Sequence, residues 1–555
     1  MSEEQRPIAV ISDLSQVVEQ QQLGEATSQV QYVSQGHCLV IGDVDTALEA
    51  GRYFPNSHYT IVSVNPDAVR IDKQLTDEGV AVFTVPSLSL SGHLGAWRAQ
   101  VSVLDGEMFD LAVSVYRESG FFDLVLDLSA EPLMPMRLVP FGYVHLGNPD
   151  AASLEDAVAA LSELTGEFDK PRYFHYEADI CAHSRSELDG CNQCIDVCAT
   201  DAIRSDGERI SVDPFLCQGC GSCATVCPSG AMSYAFPRPV DAVDRTRRSL
   251  QNEGASIIVL HTEAEEERIE QMNLPDDVLA LLVEEVSAFG PDYWLAMLAG
   301  PARHICLVMD VPADDPGRLA IETQLRWVGV LMSDLGVPEL PVTLLAPEKL
   351  EAWLRRIMAG TDGSTLLGGI DPQWFDTHND KRQTLRLALD ALSEQLLPAE
   401  PRTALPKGAP FGQIKVDTDA CTLCMACVST CPARALQDGQ DTPALRFVEA
   451  NCLQCGLCES ACPESAITLK ARYTWDSVQA RRIETLHEEK PFHCARCHTP
   501  FTTQSMIDTM TEKLAGHWMF QNEKAVRRLK LCGDCRVRDM FEEDAAGIRT
   551  HKDNG

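Results

Sequence analysis

Apolar and polar residues alternate along this chain in short blocks, and the blocks predict a succession of α/β units. HCLVIGDVDTALEAGRYF followed by YTIVSVN reads strand, helix, strand. LSGHLGAWRAQVSVL and FDLVLDLS read as further strands, the second apolar enough to be buried on both faces. These blocks place an α/β domain over residues 1–165. A second alternation starts at residue 254. ASIIVLH, DVLALLVEEV and HICLVMD are strands, while EAEEERIEQM, PDYWLAMLAG and LAIETQLRWVGVLMSDLG are helices, the last ended by Gly336. That rhythm is a small doubly wound domain. Leu385, Leu389, Leu392 and Leu396 then repeat at helical spacing on one face, extending the domain over 250–397. Pro398, Pro401, Pro406 and Pro410 mark 398–411 as a linker.

Between and after these domains the pattern changes to cysteine runs. Cys421-x2-Cys424-x2-Cys427-x3-Cys431-Pro432 is followed by Cys452-x2-Cys455-x2-Cys458-x3-Cys462-Pro463. This is the bacterial two-cluster spacing, in which the fourth cysteine of each run serves the other cluster. One tight loop reaches three irons of a cubane, and the fourth iron needs a thiolate from elsewhere. The spacing therefore predicts one [4Fe–4S] cluster on Cys421, Cys424, Cys427 and Cys462, and a second on Cys452, Cys455, Cys458 and Cys431. The short strands expected beside such loops are present as LRFVEAN and SAITLK, giving a ferredoxin module over 412–475.

Residues 166–240 repeat the theme with one end altered. Cys217, Cys220, Cys223 and Cys227-Pro228 form a regular run, but the run before it is Cys191, Cys194 and Cys198, with Leu188 where the leading cysteine should stand. Cys181 is the nearest substitute, with nine residues between it and Cys191, and a loop of that length closes at little extra entropy. The expected sets are Cys181, Cys191, Cys194 and Cys227 for one cluster, and Cys217, Cys220, Cys223 and Cys198 for the other. The rival is a three-cysteine site with an open iron or a [3Fe–4S] cluster. Ala199 replaces the proline that usually follows the fourth cysteine, so this corner is expected to differ in loop geometry. ERISVDP and DAIRS supply the strands. The two modules are copies of one unit separated by a long insert.

A third cysteine group closes the chain over 490–545. FHCARCHTPF and KLCGDCRVRD present Cys494, Cys497, Cys532 and Cys535 on two knuckles, the arrangement of a closed structural zinc site, with a single rubredoxin-style iron as the rival. The predicted fold class is a multidomain α/β and α+β protein: two bacterial-type 2[4Fe–4S] ferredoxin modules, α/β domains and a C-terminal zinc-ribbon-like domain. The expected cofactors are four [4Fe–4S] clusters and one zinc.

Charge and composition narrow the partners. The chain has 46 Lys+Arg against 82 Asp+Glu, a formal charge of −36. Such a surface repels nucleic acid and anionic membrane and suits a basic protein partner. The basic stretch KAVRRLKLCGDCRVRD is an exception, read as a protein-docking patch. No window reaches the ~20 apolar residues of a membrane span, and MSEEQRPIAVISDL lacks the features of a secretory leader. A cytoplasmic location is expected. The first α/β domain lacks a nucleotide fingerprint, since Gly42-Asp43-Val44-Asp45 puts carboxylates where a pyrophosphate wants donors; an adapter role is expected instead. Cys306, in an apolar run near His261 and His304, reads as a buried structural thiol.

Several segments carry a resemblance. LSGHLGAWRAQVSVL is similar to the sheet insert of heterodisulfide reductase A subunits, and 254–345 resembles the delta subunit that links hydrogenase or formate dehydrogenase to that reductase. That delta subunit holds a [2Fe–2S] cluster on cysteines, where this chain has only Cys306, and the reductase's flavin fingerprint is missing. GEFDKPRYFHYEADICAHSR, LCQGCGSCATVCPSGAMSY and the ending CRVRDM resemble the large cytoplasmic 4Fe–4S proteins of proteobacteria associated with formate dehydrogenase. The resemblance implies electron exchange with formate dehydrogenase or its maturation system. The leading expectation is a non-catalytic electron relay. The alternatives are an assembly or redox-sensing factor for a metalloenzyme and a flavin- or nicotinamide-dependent oxidoreductase subunit.

Overall fold

The computed structural model describes residues 28–552, apart from 55–57, 69, 78, 103–107, 116–119, 137, 361–363, 376–379, 441, 515–516, 518–519 and 521–522. The opening residues read above for a leader lie outside the described residues.

The first domain is a six-stranded sheet in the order Tyr143–His145, Leu124–Asp127, Cys38–Ile41, Tyr59–Val64, Ala81–Val85, Asp72–Leu75. Only the last strand runs antiparallel to its neighbour. Successive side chains of a strand point to opposite faces, so the continuous run Cys38–Ile41 serves two cores. Val40 packs with Ala47 and Ala50 of helix Val44–Gly51 and with Leu154, Val158 and Leu161 of helix Ala151–Glu163. Leu39 and Ile41 pack with Trp97, Val101 and Phe122 on the other side. The Asp43 carboxylate accepts from the Asp45 and Thr46 amides at 3.1 and 3.2 Å. It thereby takes the helix-start donors that a phosphate would use.

The insert between the cysteine modules is a parallel four-stranded sheet, ordered Val278–Leu282, Ile257–His261, His304–Val308, Val342–Leu345. Helices Pro291–Ala299, Pro316–Asp334 and Lys381–Gln395 join the core on one face. Ile269 and helix Leu350–Met358 cover the other. Cys306 is fully buried there beside Val259 and Trp353, and burial pushes its thiol up. Gly336, at φ +82°, follows the end of helix Pro316–Asp334.

The proline-marked segment 398–411 differs from a free linker. Its strand Arg402–Ala404 pairs antiparallel with Ile467–Thr474. Leu405, Ala409 and Phe411 are buried in the same core as Trp327, Leu389, Tyr473 and Trp475. The Trp475 indole donates to Asp334 at 2.8 Å across the junction. The prolines fix where the chain turns, while the apolar residues between them decide that it packs. The insert and the second cysteine module consequently share one core. Among the described residues no helix is long and apolar enough to cross a membrane.

Candidate cluster loops and metal centre

The runs at 421–431 and 452–462 curl in the same way. The residue before and the residue after each second cysteine are left-handed: Leu423 at φ +55° and Met425 at +60°, Gln454 at +56° and Gly456 at +88°. Two left-handed steps wrap each loop so that its three thiols converge on one side. Cys421, Cys424 and Cys427 meet Cys462 around a cavity of about 330 Å³ lined also by Leu445 and Ile467. Cys452, Cys455 and Cys458 meet Cys431 around one of about 360 Å³, walled by Ile414, Phe447 and Leu469. Burial pushes the Cys427 thiol up to about 12, and Cys424, Cys421 and Cys462 add to the rise. Thiols so buried keep their protons until iron displaces them. A four-thiol, apolar-walled cradle fits a [4Fe–4S] cluster.

In the first module the regular run repeats this geometry, with Gly219 at φ +80° and Gly221 at +73°. The altered run uses another device. Ser184–Arg185 pairs with Leu188–Asp189 as a hairpin, turned by Ser186 and Glu187 at φ +54° and +63°. Two consecutive left-handed residues make the tight turn that suits the twist of paired strands. The hairpin continues past Leu188: the Gly190 amide donates to His183 O at 2.7 Å and the Cys191 amide to Ala182 O at 2.8 Å. Cys181 is thus delivered to Cys191. Burial pushes the Cys191 thiol up to about 12, with Cys227, Cys455 and Cys181 contributing. Cys217, Cys220 and Cys198 likewise bear on Cys223. Cys431 and Cys452 bear on Cys455 in the same way.

The two modules meet at these loops. Cys194 acts on Cys223, and Cys427 acts on Cys458, within each module. Cys455 acts on Cys191 between modules. Gly190 is pressed onto the second module, where an added Cβ would lie 2.8 Å from Leu457 Cγ. Amide donors face several of the sulfurs: Met232 N to Cys227 Sγ at 3.3 Å, Ala466 N to Cys462 Sγ at 3.2 Å, and Gln454 Nε2 to Cys452 Sγ at 3.2 Å. At Cys452 burial pushes the thiol up, and the Gln454 bond opposes that rise.

Two cations near the loops, Lys170 buried and Arg382 half-buried, escape a reading of cysteine spacing. Lys170 donates to Phe215 O and Cys217 O, and Arg382 to Ala450 O and Cys452 O. Nothing local distinguishes either residue, because each acts on a loop 47 or 70 residues away.

The C-terminal cysteines form a tighter group. One sulfur from each of Cys494, Cys497, Cys532 and Cys535 lies within 4.8 Å of every other. Tetrahedral thiolates at a Zn–S distance of about 2.3 Å stand about 3.8 Å apart, so one ion fits and a cubane does not. Burial opposes ionisation of Cys494, yet amides of Cys497, Cys532 and Arg496 outweigh it and hold the thiol down at about 5. His493 turns away from the sulfurs, its Nδ1 lying 2.9 Å from His498 O.

Comparison with known proteins agrees with the loops. Residues 189–231 and 420–467 each match a 4Fe–4S dicluster domain. Over 49 residues the chain is 45% identical to hydrogenase-4 component A of Escherichia coli, covering 9% of this chain and 24% of that protein. It is 50% identical over 44 residues to indolepyruvate oxidoreductase subunit IorA of Pyrococcus horikoshii, 8% of this chain and 7% of the relative. It is 38% identical over 41 residues to a 7Fe ferredoxin of Hydrogenibacillus schlegelii, 7% of this chain and 53% of the relative. The matches thus span a minor part of the oxidoreductase subunits. The chain carries two 4Fe–4S dicluster domains and is a multi-cluster iron–sulfur protein.

Proposed function

We propose that the chain relays single electrons along four [4Fe–4S] clusters between a cytoplasmic oxidoreductase and a second redox partner. One observation carries this reading: Gly190, next to Cys191, is pressed onto Leu457, between Cys455 and Cys458, which joins two modules far apart in sequence into one row. The ligand sets are Cys198/217/220/223, then Cys181/191/194/227, then Cys431/452/455/458, then Cys421/424/427/462. When bound, the clusters supply one-electron redox centres whose potentials respond to hydrogen bonds, charge and solvent.

The chain's own residues hold those centres in a fixed order. The hairpin at 184–189 supplies Cys181 where the regular spacing fails. The insert holds both modules: it shares a core with the second, and Ser287 bonds to Cys220 and Thr225 of the first. The acidic surface suits a basic docking partner. Formate dehydrogenase is the proposed partner, on the resemblance of the cysteine-rich segments. The hydrogenase and oxidoreductase subunits among the relatives support a redox partner in the wider sense. The C-terminal cysteines are assigned one zinc, whose role is structural.

Iron, sulfide and zinc analysis of anaerobically purified protein, with an EPR-monitored redox titration, tests this reading. About sixteen irons, one zinc and four reducible centres are expected. About twelve irons, or a module that never reduces, would contradict it and favour an assembly or sensing role.

A further inference from the structure

The buried Lys170 and the half-buried Arg382 stand at the same point of the two modules, Arg386 adding a second donor to Ala450 O at 2.7 Å. Lys170 Nζ lies 3.2 Å from Phe215 O and 2.6 Å from Cys217 O. Arg382 donates to Ala450 O at 2.9 Å and to Cys452 O at 2.5 Å. Phe215 and Ala450 both precede the first cysteine of a second run by two residues. Each cation also lies over aromatic rings: Lys170 is 5.1 Å from the Tyr32 centroid, and Arg382 is 4.9 Å from that of Phe411.

The two residues come from unrelated elements, one from the strand Gly166–Pro171 and the other from the helix Lys381–Gln395. Duplication of the ferredoxin unit therefore does not explain the match. Satisfying two carbonyls does not explain a charge at 170 either, since a neutral donor would do so without the desolvation cost; Arg382 serves a third acceptor as well, Pro410 O at 2.8 Å. A buried cation is stabilised when it faces negative charge, and the thiolates and cluster of each second run would provide it. The first runs are served differently. There the His183 ring lies 3.2 Å from Cys191 O, and the Thr503 hydroxyl donates to Thr422 O at 3.2 Å. Lys381 donates to Ala224 O and Thr225 O, between Cys223 and Cys227. Those two cysteines belong to different ligand sets, so Lys381 favours neither.

We propose that Lys170 and Arg382 raise the reduction potentials of the clusters held by the second runs above those held by the first runs. Along the row, the centres on Cys198/217/220/223 and Cys431/452/455/458 alternate with two centres of lower potential. The physical cause is simple: reduction adds a negative charge, and a fixed positive charge in a low-dielectric setting stabilises it. The inference rests on the four-cluster reading.

The test is an EPR-monitored redox titration of the full-length protein and of Arg382→Gln, Arg382→Lys, Lys170→Gln and Lys170→Arg. In the wild type, two centres should titrate at higher and two at lower potential. Arg382→Gln should move one centre to more negative potential at unchanged iron content, and Lys at 382 should restore most of the shift. Lys170→Gln should move a different centre, with Arg at 170 restoring it. Four coincident wild-type potentials would overturn the proposal without recourse to any variant. So would a Gln variant with full iron and unmoved potentials, or a charge-keeping variant that shifts as far as Gln. Iron well below sixteen in the wild type would instead strike the four-cluster reading itself.

Discussion

The two dicluster modules bind with the same number of cysteines but reach that number differently. In the second module, each run is a single loop wound by left-handed residues at fixed positions, Leu423 and Met425 or Gln454 and Gly456. In the first module, one run keeps that form and the other borrows its leading thiol from a β-hairpin. The ligand set is thus a property of where sulfurs meet in space, and regular spacing is only one way to bring them there. The modules differ in their surroundings too. An added Cβ at Gly221 would lie 2.4 Å from Ala288 Cβ, whereas nothing lies within 4 Å of one at the equivalent Gly456. The first module is pressed into its neighbours at a point where the second faces open space.

Removing the borrowed thiol breaks this comparison most directly. Cys181→Ser should lose about four irons, as should Cys421→Ser in the regular run. Iron and sulfide analysis reads both, and full iron in Cys181→Ser alone would restore the three-cysteine alternative. Next in size is the packing difference. Gly221→Ala combines left-handed strain with overlap against Ala288 and should destabilise the loaded protein by about 2–5 kcal/mol. Gly456→Ala carries the strain alone, about 1–2 kcal/mol. Denaturant unfolding of the two variants compares them, and equal losses would mean that the contact with Ala288 is unimportant. Smaller still is Glu187→Gly at the hairpin turn. Relief of the +63° backbone is partly offset by the freer unfolded chain, leaving a gain of up to about 1 kcal/mol. A loss of stability there would contradict the turn geometry.

The C-terminal cysteines sharpen the contrast from outside both modules. Cys494→Ser should abolish binding of the single ion and leave the cluster iron unchanged, as metal analysis of one preparation can show. Loss of cluster iron in this variant would tie the site to the modules and contradict a separate structural role.

Much of this was legible in the chain. The two dicluster regions are legible from cysteine spacing, and the parallel strands from apolar runs such as ASIIVLH, because both signals are local. Cys181 was legible only as the nearest thiol. Its hairpin turns on Ser186-Glu187, which lacks the Asn-Gly or Asp-Gly signature of such turns. The segment 398–411 misled because prolines signal a turn and say nothing of what Phe411 packs against. Lys170 and Arg382 were invisible for a different reason. A cation that serves a distant carbonyl looks, in sequence, like any surface lysine or arginine.

The claim that most needs testing is that the modules form one row. The direct measurement is the EPR line shape and power saturation of the first module's reduced centres, with and without Cys455→Ala. Loss of the cluster held by Cys455 should sharpen those signals and lower the microwave power at which they saturate, because the neighbouring paramagnet that speeds their relaxation is gone. Signals of the first module that are identical in the two proteins, with the Cys455 cluster shown to be missing, would contradict the row.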